Sequence, residues 1–240
     1  MSETRDNQFF LVGASNCRQL ALAANRKYVY IPYFSESSID NFITSFQFDH
    51  FPKKCVIFSN TNNLIAFRRR QPEDKRDIHI HFVKHMRKKE KLHNILRQMS
   101  RIIDHLIQGG VEIIVVSHMM RCLVQTCTCT TPEKFFYVRP LKQKTLFKSY
   151  ENSLQSQIEG KIVRFVTHDE LVKLLYLPIL GIKAPKKLTC NDFLALYSRF
   201  LGADHVHVDS DKLHVLHHVV TEFWESPRKH EENKQPSSVH

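Results

Sequence analysis

The stretch FFLVGASNCRQL, residues 9–20, decides how this chain is organised. Four apolar residues, Phe9 to Val12, run straight into Gly13-Ala14-Ser15-Asn16, and a helix-compatible segment follows from Cys17. A short continuous apolar run bounded by turn residues reads as a buried strand. The small-residue turn then passes the chain into a helix, with Ser15 at its apex. A serine in that place either caps the helix or is displayed as a nucleophile at the end of a strand.

The same alternation continues outward. Lys27–Ile31 (KYVYI) alternates and is β-rich, and Pro32 ends it. Ser37–Phe46 spaces Ile39, Phe42, Ile43 and Phe46 along one helical face, with serine available as a cap. Cys55–Ser59 (CVIFS), Val111–Ser117 (VEIIVVS) and Lys161–Val166 (KIVRFV) are further apolar strands, and the segment from about Asp77 to Gln108 reads as one long helix closed by Gly109-Gly110. Strands alternating with helical patterns imply a parallel sheet covered on both faces. The expected fold is a flavodoxin-like three-layer α/β/α sandwich with a central parallel sheet of about five strands. Residues 1–225 form the expected domain, and the polar tail from Ser226 is expected to be disordered.

Composition narrows the function classes. The chain has 240 residues, of which 42% are hydrophobic, enough for a packed core. No apolar run approaches the roughly 20 residues that span a bilayer, and the opening MSETRDNQ lacks the apolar core of a signal peptide. A cytoplasmic or nuclear location is expected, with the six cysteines reduced. The net charge of +11 favours an acidic partner such as RNA, DNA or an anionic surface.

Three loops at carboxyl ends of strands line up as a site, because ligands of open α/β sheets bind there. They are Gly13-Ala14-Ser15-Asn16, the SNTNNL segment Ser59–Leu64, and the GADHVHV segment Gly202–Val208, in which Asp204 precedes His207 by three residues. A serine, an asparagine and an Asp/His pair are the parts for acyl transfer. The histidine takes the serine proton, the aspartate orients the imidazole, and the amide donates to an oxyanion. Each residue also has a plainer role open to it. Ser15 suits a helix N-cap, Asn62 a turn, and Asp204 a cap before the last helix.

In order and spacing these blocks resemble the SGNH hydrolases, the GDSL-type lipase and esterase superfamily. Gly13-Ala14-Ser15 corresponds to the Gly-Asp-Ser turn, Asn60-Thr61-Asn62-Asn63 to the Gly-x-Asn-Asp block, and Asp204-His205-Val206-His207-Val208 to the Asp-x-x-His block. The match spans most of residues 8–224. The resemblance implies a catalytic set of Ser15, Asp204 and His207, and an oxyanion hole from the Ser15 N–H, the Asn62 amide and a backbone N–H near Ser35. It implies an acyl ester substrate and no cofactor or metal. Such an esterase resembles the kind that some LINE-type retrotransposons encode beside their nucleic-acid-binding proteins. The chain departs from the pattern at Ala14, where aspartate is usual, and at Asn60 and Asn63. Residues 33–42 (YFSESSIDNF) contain no glycine where the family supplies one for the oxyanion hole.

Two basic runs suggest a second class of function. Arg68, Arg69 and Arg70 form the first, and Lys84, Arg87, Lys88, Lys89 and Lys91 the second, with Phe67 and Phe82 close by. Contact with RNA or single-stranded DNA through such residues would act on phosphates and carry little sequence preference. The alternative function is therefore a catalytically inactive SGNH-fold module that binds nucleic acid. Cys127-Thr128-Cys129 and the histidines His79, His81 and His85 lack a second pair at zinc-finger spacing, so no metal site is expected.

Overall fold

The computed structural model describes residues 8–31, 35–59, 66–69, 78–81, 89–117, 140–202 and 207–225, without the side chains of 66–69, 78–81, 89–91, 140–147 and 190. The five expected strands are present as β1 (Phe10–Gly13), β2 (Tyr28–Tyr30), β3 (Lys54–Phe58), β6 (Glu112–Val116) and β7 (Val163–Val166). They form one all-parallel sheet in the order β2-β1-β3-β6-β7. Phe10, Leu11 and Val12 are fully buried, as are Cys55, Val56 and Ile57 beside them. Central parallel strands are covered on both faces, which is why they read as continuous apolar runs rather than alternating ones.

The chain steps from β1 to β2 in one direction across the sheet and from β2 through β3 and β6 to β7 in the other. Right-handed crossovers then place α1 (Ser15–Ala23) on one face, and α2 (Glu36–Ser45), α3 (Lys89–Gln108) and α4 (Pro140–Gln157) on the opposite face. The helix contacts follow this division. The last helix, α7 (Leu213–Glu225), packs on α1 and on α5 (His168–Leu180), while α2 packs on α3 and α3 on α4. Helix α6 (Cys190–Phe200) touches both α4 and α5. The result is a three-layer α/β/α sandwich with the flavodoxin-like strand order, whose switch point lies between β1 and β3.

Local chemistry starts and stops the helices. Ser35 with Ser38, Thr167 with Glu170, and Thr189 with Asp192 form reciprocal capping boxes at the starts of α2, α5 and α6. Helix α5 ends at Gly181 in the left-handed region, φ 74°. Gly109, after α3, lies against the Phe48 ring, and a Cβ there would sit 1.9 Å from the ring. Phe48 belongs to an aromatic cluster with Phe10, Phe42, Phe46 and Phe51. His105 of α3 packs against three of these rings, and burial lowers its pKa.

One expectation is corrected. Of the segment expected to be one helix from about Asp77, Lys89–Gln108 is helix α3, but Ile78–His81 is strand β5, antiparallel to β4 (Ala66–Arg69) in a separate two-stranded ladder. The alternation Ile78-His79-Ile80-His81 has the period of a strand, and the β-branched isoleucines favour it.

A buried polar cluster ties the carboxyl edge of the sheet to the helices beyond it. Glu151 of α4 is 1% exposed. Its carboxylate accepts hydrogen bonds from the His168 backbone N–H at 2.6 Å, from Lys148 Nζ at 2.6 Å and from the Ser117 hydroxyl. Burial opposes its ionisation, but these donors outweigh burial and hold the carboxyl below its usual range. Nearby, burial pushes the Tyr150 phenol up to about 12, with the Ser59 hydroxyl pulling the other way. His168 stacks on Tyr197, whose hydroxyl lies 3.3 Å from its Nε2.

Candidate active site

Ser15 is the first residue of α1, directly beyond the carboxyl end of β1. The turn before it is tight. A Cβ on Gly13 would lie 3.0 Å from Cys17 Cβ and 3.1 Å from the Phe58 carbonyl oxygen, so glycine lets α1 come down close to β3. Ala14, not Ser15, occupies the N-cap position, and no side chain caps α1 there. The first turn of α1 also has no acidic residue. Unlike α2, α5 and α6, this helix therefore starts without a capping box, and its serine hydroxyl points elsewhere.

That hydroxyl meets His207. Ser15 Oγ and His207 Nε2 are 2.9 Å apart, and both residues are half-buried. Two anchors hold the histidine segment. Leu201 and Val208 form an antiparallel bridge, closed by hydrogen bonds from Gly202 N to the His207 carbonyl (2.9 Å) and from Asp209 N to the Phe200 carbonyl (3.0 Å). On the other side, Asn16 Oδ1 accepts from Val208 N at 3.2 Å. The residue after the serine thus grips the residue after the histidine, and the two halves of the pair are set by adjacent backbone. Asn16 was absent from the sequence-derived site. Its signal is its place beside Ser15, where a turn role was the obvious reading.

The other expected site residues are distributed as follows. Asp204 and Asn62 lie outside the described residues, as do Arg70, Lys84, Arg87 and Lys88. Ser35 is the N-cap of α2. Its Oγ accepts from Ser38 N, and its own backbone N–H donates to Ser38 Oγ at 3.1 Å, so that donor is engaged within the capping box. Its neighbour Glu36 pairs with Arg97 of α3 at 2.5 Å. Arg68 and Arg69 lie in β4, where Arg68 is in register with His79 and Arg69 with Ile78. Lys89 and Lys91 lie in the first turn of α3.

Cys17, two residues from Ser15, is no rival nucleophile. It is buried as a free thiol, and burial pushes its pKa far up, as it does for buried Cys55. Among the described residues no group of three or more His, Cys, Asp or Glu could hold a metal ion, and no helix is long and apolar enough to cross a membrane.

Comparison with protein-family models and with curated proteins finds no match to this chain. What the site can do chemically rests on its own geometry. A serine hydroxyl in hydrogen-bond contact with an imidazole nitrogen, at the start of an uncapped helix on the carboxyl edge of a parallel sheet, has the two members needed to generate a nucleophile. The N–H groups of a first helical turn, with the positive end of the helix dipole, favour negative charge beside it.

Proposed function

We propose that the chain is an SGNH-type serine esterase that hydrolyses an acyl ester through Ser15 and His207, with Asp204 as the third member. The observation that carries this reading is the 2.9 Å contact between Ser15 Oγ and His207 Nε2. In this mechanism Nε2 removes the hydroxyl proton as Oγ attacks the ester carbonyl. The first-turn N–H groups of α1 and the Asn62 amide receive the oxyanion. The imidazolium returns its proton to the leaving alcohol, and a water molecule, deprotonated by the same nitrogen, then releases the acid. Asp204 would hold the imidazole from its Nδ1 side. The test is reaction with a fluorophosphonate probe together with hydrolysis of short p-nitrophenyl esters. A wild-type chain that does neither defeats the proposal.

Asn16→Ala tests how the pair is held. It removes the acceptor for Val208 N–H, which is worth roughly 1 kcal/mol of stability, and it loosens the segment bearing His207. The expected result is a kcat on p-nitrophenyl acetate reduced by about tenfold with KM little changed, as for a misplaced base. An unchanged kcat would show that the tie to Val208 does not position His207.

A second reading is favoured by the charge of +11 and by β4, which carries Arg68 and Arg69 in one ladder with His79 and His81. In it the fold binds RNA or single-stranded DNA through phosphates. Affinity for a fluorescent oligonucleotide should then fall steeply with salt, and replacing Arg68–Arg70 by glutamate should weaken it. No binding at low salt removes this reading.

A further inference from the structure

The same site carries a feature the esterase reading does not use. Helix α1 has a single charged residue, Arg18. It stands three residues after Ser15, so the two share a face of the helix with about 5–6 Å between their Cβ atoms. Its guanidinium lies over the Tyr30 ring, 5.8 Å from the centroid, within the range of a cation–π contact. Tyr30 is itself 45% exposed and in register with Gly13, immediately before the serine turn. The guanidinium is thus braced on the strand that pairs with the residue two before Ser15, one helical turn along α1 from the serine.

Of the other arginines whose side chains are described, all but Arg199 of α6 are engaged. Arg97 and Arg101 pair with Glu36 and Asp40, each at 2.5 Å; Arg26 Nε donates to His217, and Arg164 donates to the Phe223 carbonyl. Arg18 makes no ion pair among the described residues, and the first turn of α1 contains no acid that could screen it. A planar cation with its hydrogen-bond fork available suits a carboxylate or phosphate.

We propose that Arg18, braced on Tyr30, selects esters that carry an anionic group close to the scissile carbonyl. This rests on the esterase reading of Ser15 and His207. The anion can belong to the acyl part or to the alcohol, and two pairs of substrates separate these sources. Mono-p-nitrophenyl glutarate against p-nitrophenyl valerate places the charge on the acyl side. 4-Carboxyphenyl butyrate against 4-carbamoylphenyl butyrate places it on the leaving group.

In one of the two pairs the wild type should prefer the anionic member after correction for intrinsic reactivity. In Arg18→Glu that preference should fall by about tenfold or more, while Arg18→Lys retains part of it. Added salt should erode the preference, since the pair is open to solvent. Hydrolysis of both members with a ratio that Arg18→Glu leaves unchanged in both pairs overturns the inference and leaves the esterase intact. A wild type that hydrolyses none of the four and ignores the fluorophosphonate probe defeats the esterase reading, and the inference with it.

Discussion

Ser15→Ala should abolish fluorophosphonate labelling and lower ester hydrolysis by roughly 10⁴–10⁶-fold, the loss seen when the nucleophile of a serine triad is removed. The fold should be untouched. Ser15 is half-buried at the first position of α1, its hydroxyl does not cap the helix, and alanine is the better helix former. Removing the hydroxyl deletes the atom that attacks the carbonyl and leaves the geometry around it in place. His207→Ala should be nearly as damaging, because a serine hydroxyl without a base is a poor nucleophile, and the double variant should be little worse than either alone. Labelling of Ser15→Ala at the wild-type rate would place the nucleophile elsewhere. A thermal melt of each variant separates lost chemistry from lost structure.

Glu151→Ala should be the most disruptive single change to stability outside the apolar core. It leaves the His168 N–H and the Ser117 hydroxyl buried without their acceptor, at about 1–3 kcal/mol for each. For a chain of this size that corresponds to a fall in Tm of roughly 5–15 °C. The pH dependence follows from the same carboxylate. Its pKa is lower in the folded than in the unfolded chain, so below the unfolded value the unfolded chain binds the extra proton. The stability Glu151 contributes is complete above the unfolded value and is lost as pH falls through the folded one. Acid unfolding of the wild type should therefore be steeper than that of Glu151→Ala, followed by circular dichroism. Equal acid sensitivity would mean that the carboxylate is not linked to folding.

The centre of the sheet was legible in the sequence because β1, β3 and β6 are buried on both faces, so each reads as an apolar run between turn residues. Strand β2 is shorter and lies at the edge, but Pro32 marked its end. The region after β3 was not legible in the same way. Ile78 to His81 has the alternation of a strand, but it was absorbed into the helical pattern that runs on to Gln108, and the pairing of β5 with β4 sets it apart. At the site, Ser15 and His207 were readable because a turn and a short Asp-x-x-His block mark them. Asn16 was not, since its task is defined by a backbone N–H that comes 192 positions later. Ser35 shows the converse limit. The glycine-free loop suggested a donor there, yet a serine three residues on turns the segment into a capping box that takes up the N–H.

The contact between Ser15 and His207 also spans 192 positions, nearly the whole described chain. At a synthesis rate of 5–20 residues per second, roughly 10–40 s separate the emergence of the two from the ribosome. Throughout that interval the serine has been synthesised, but the imidazole has not. Helix α1 also waits for α7 to cover it, and Phe9 for the His217 and Trp224 rings that pack on it. On the proposed mechanism, acquisition of a reactive serine is thereby timed by translation, and a nascent chain carries an inert hydroxyl until the His207 segment has been made and docked.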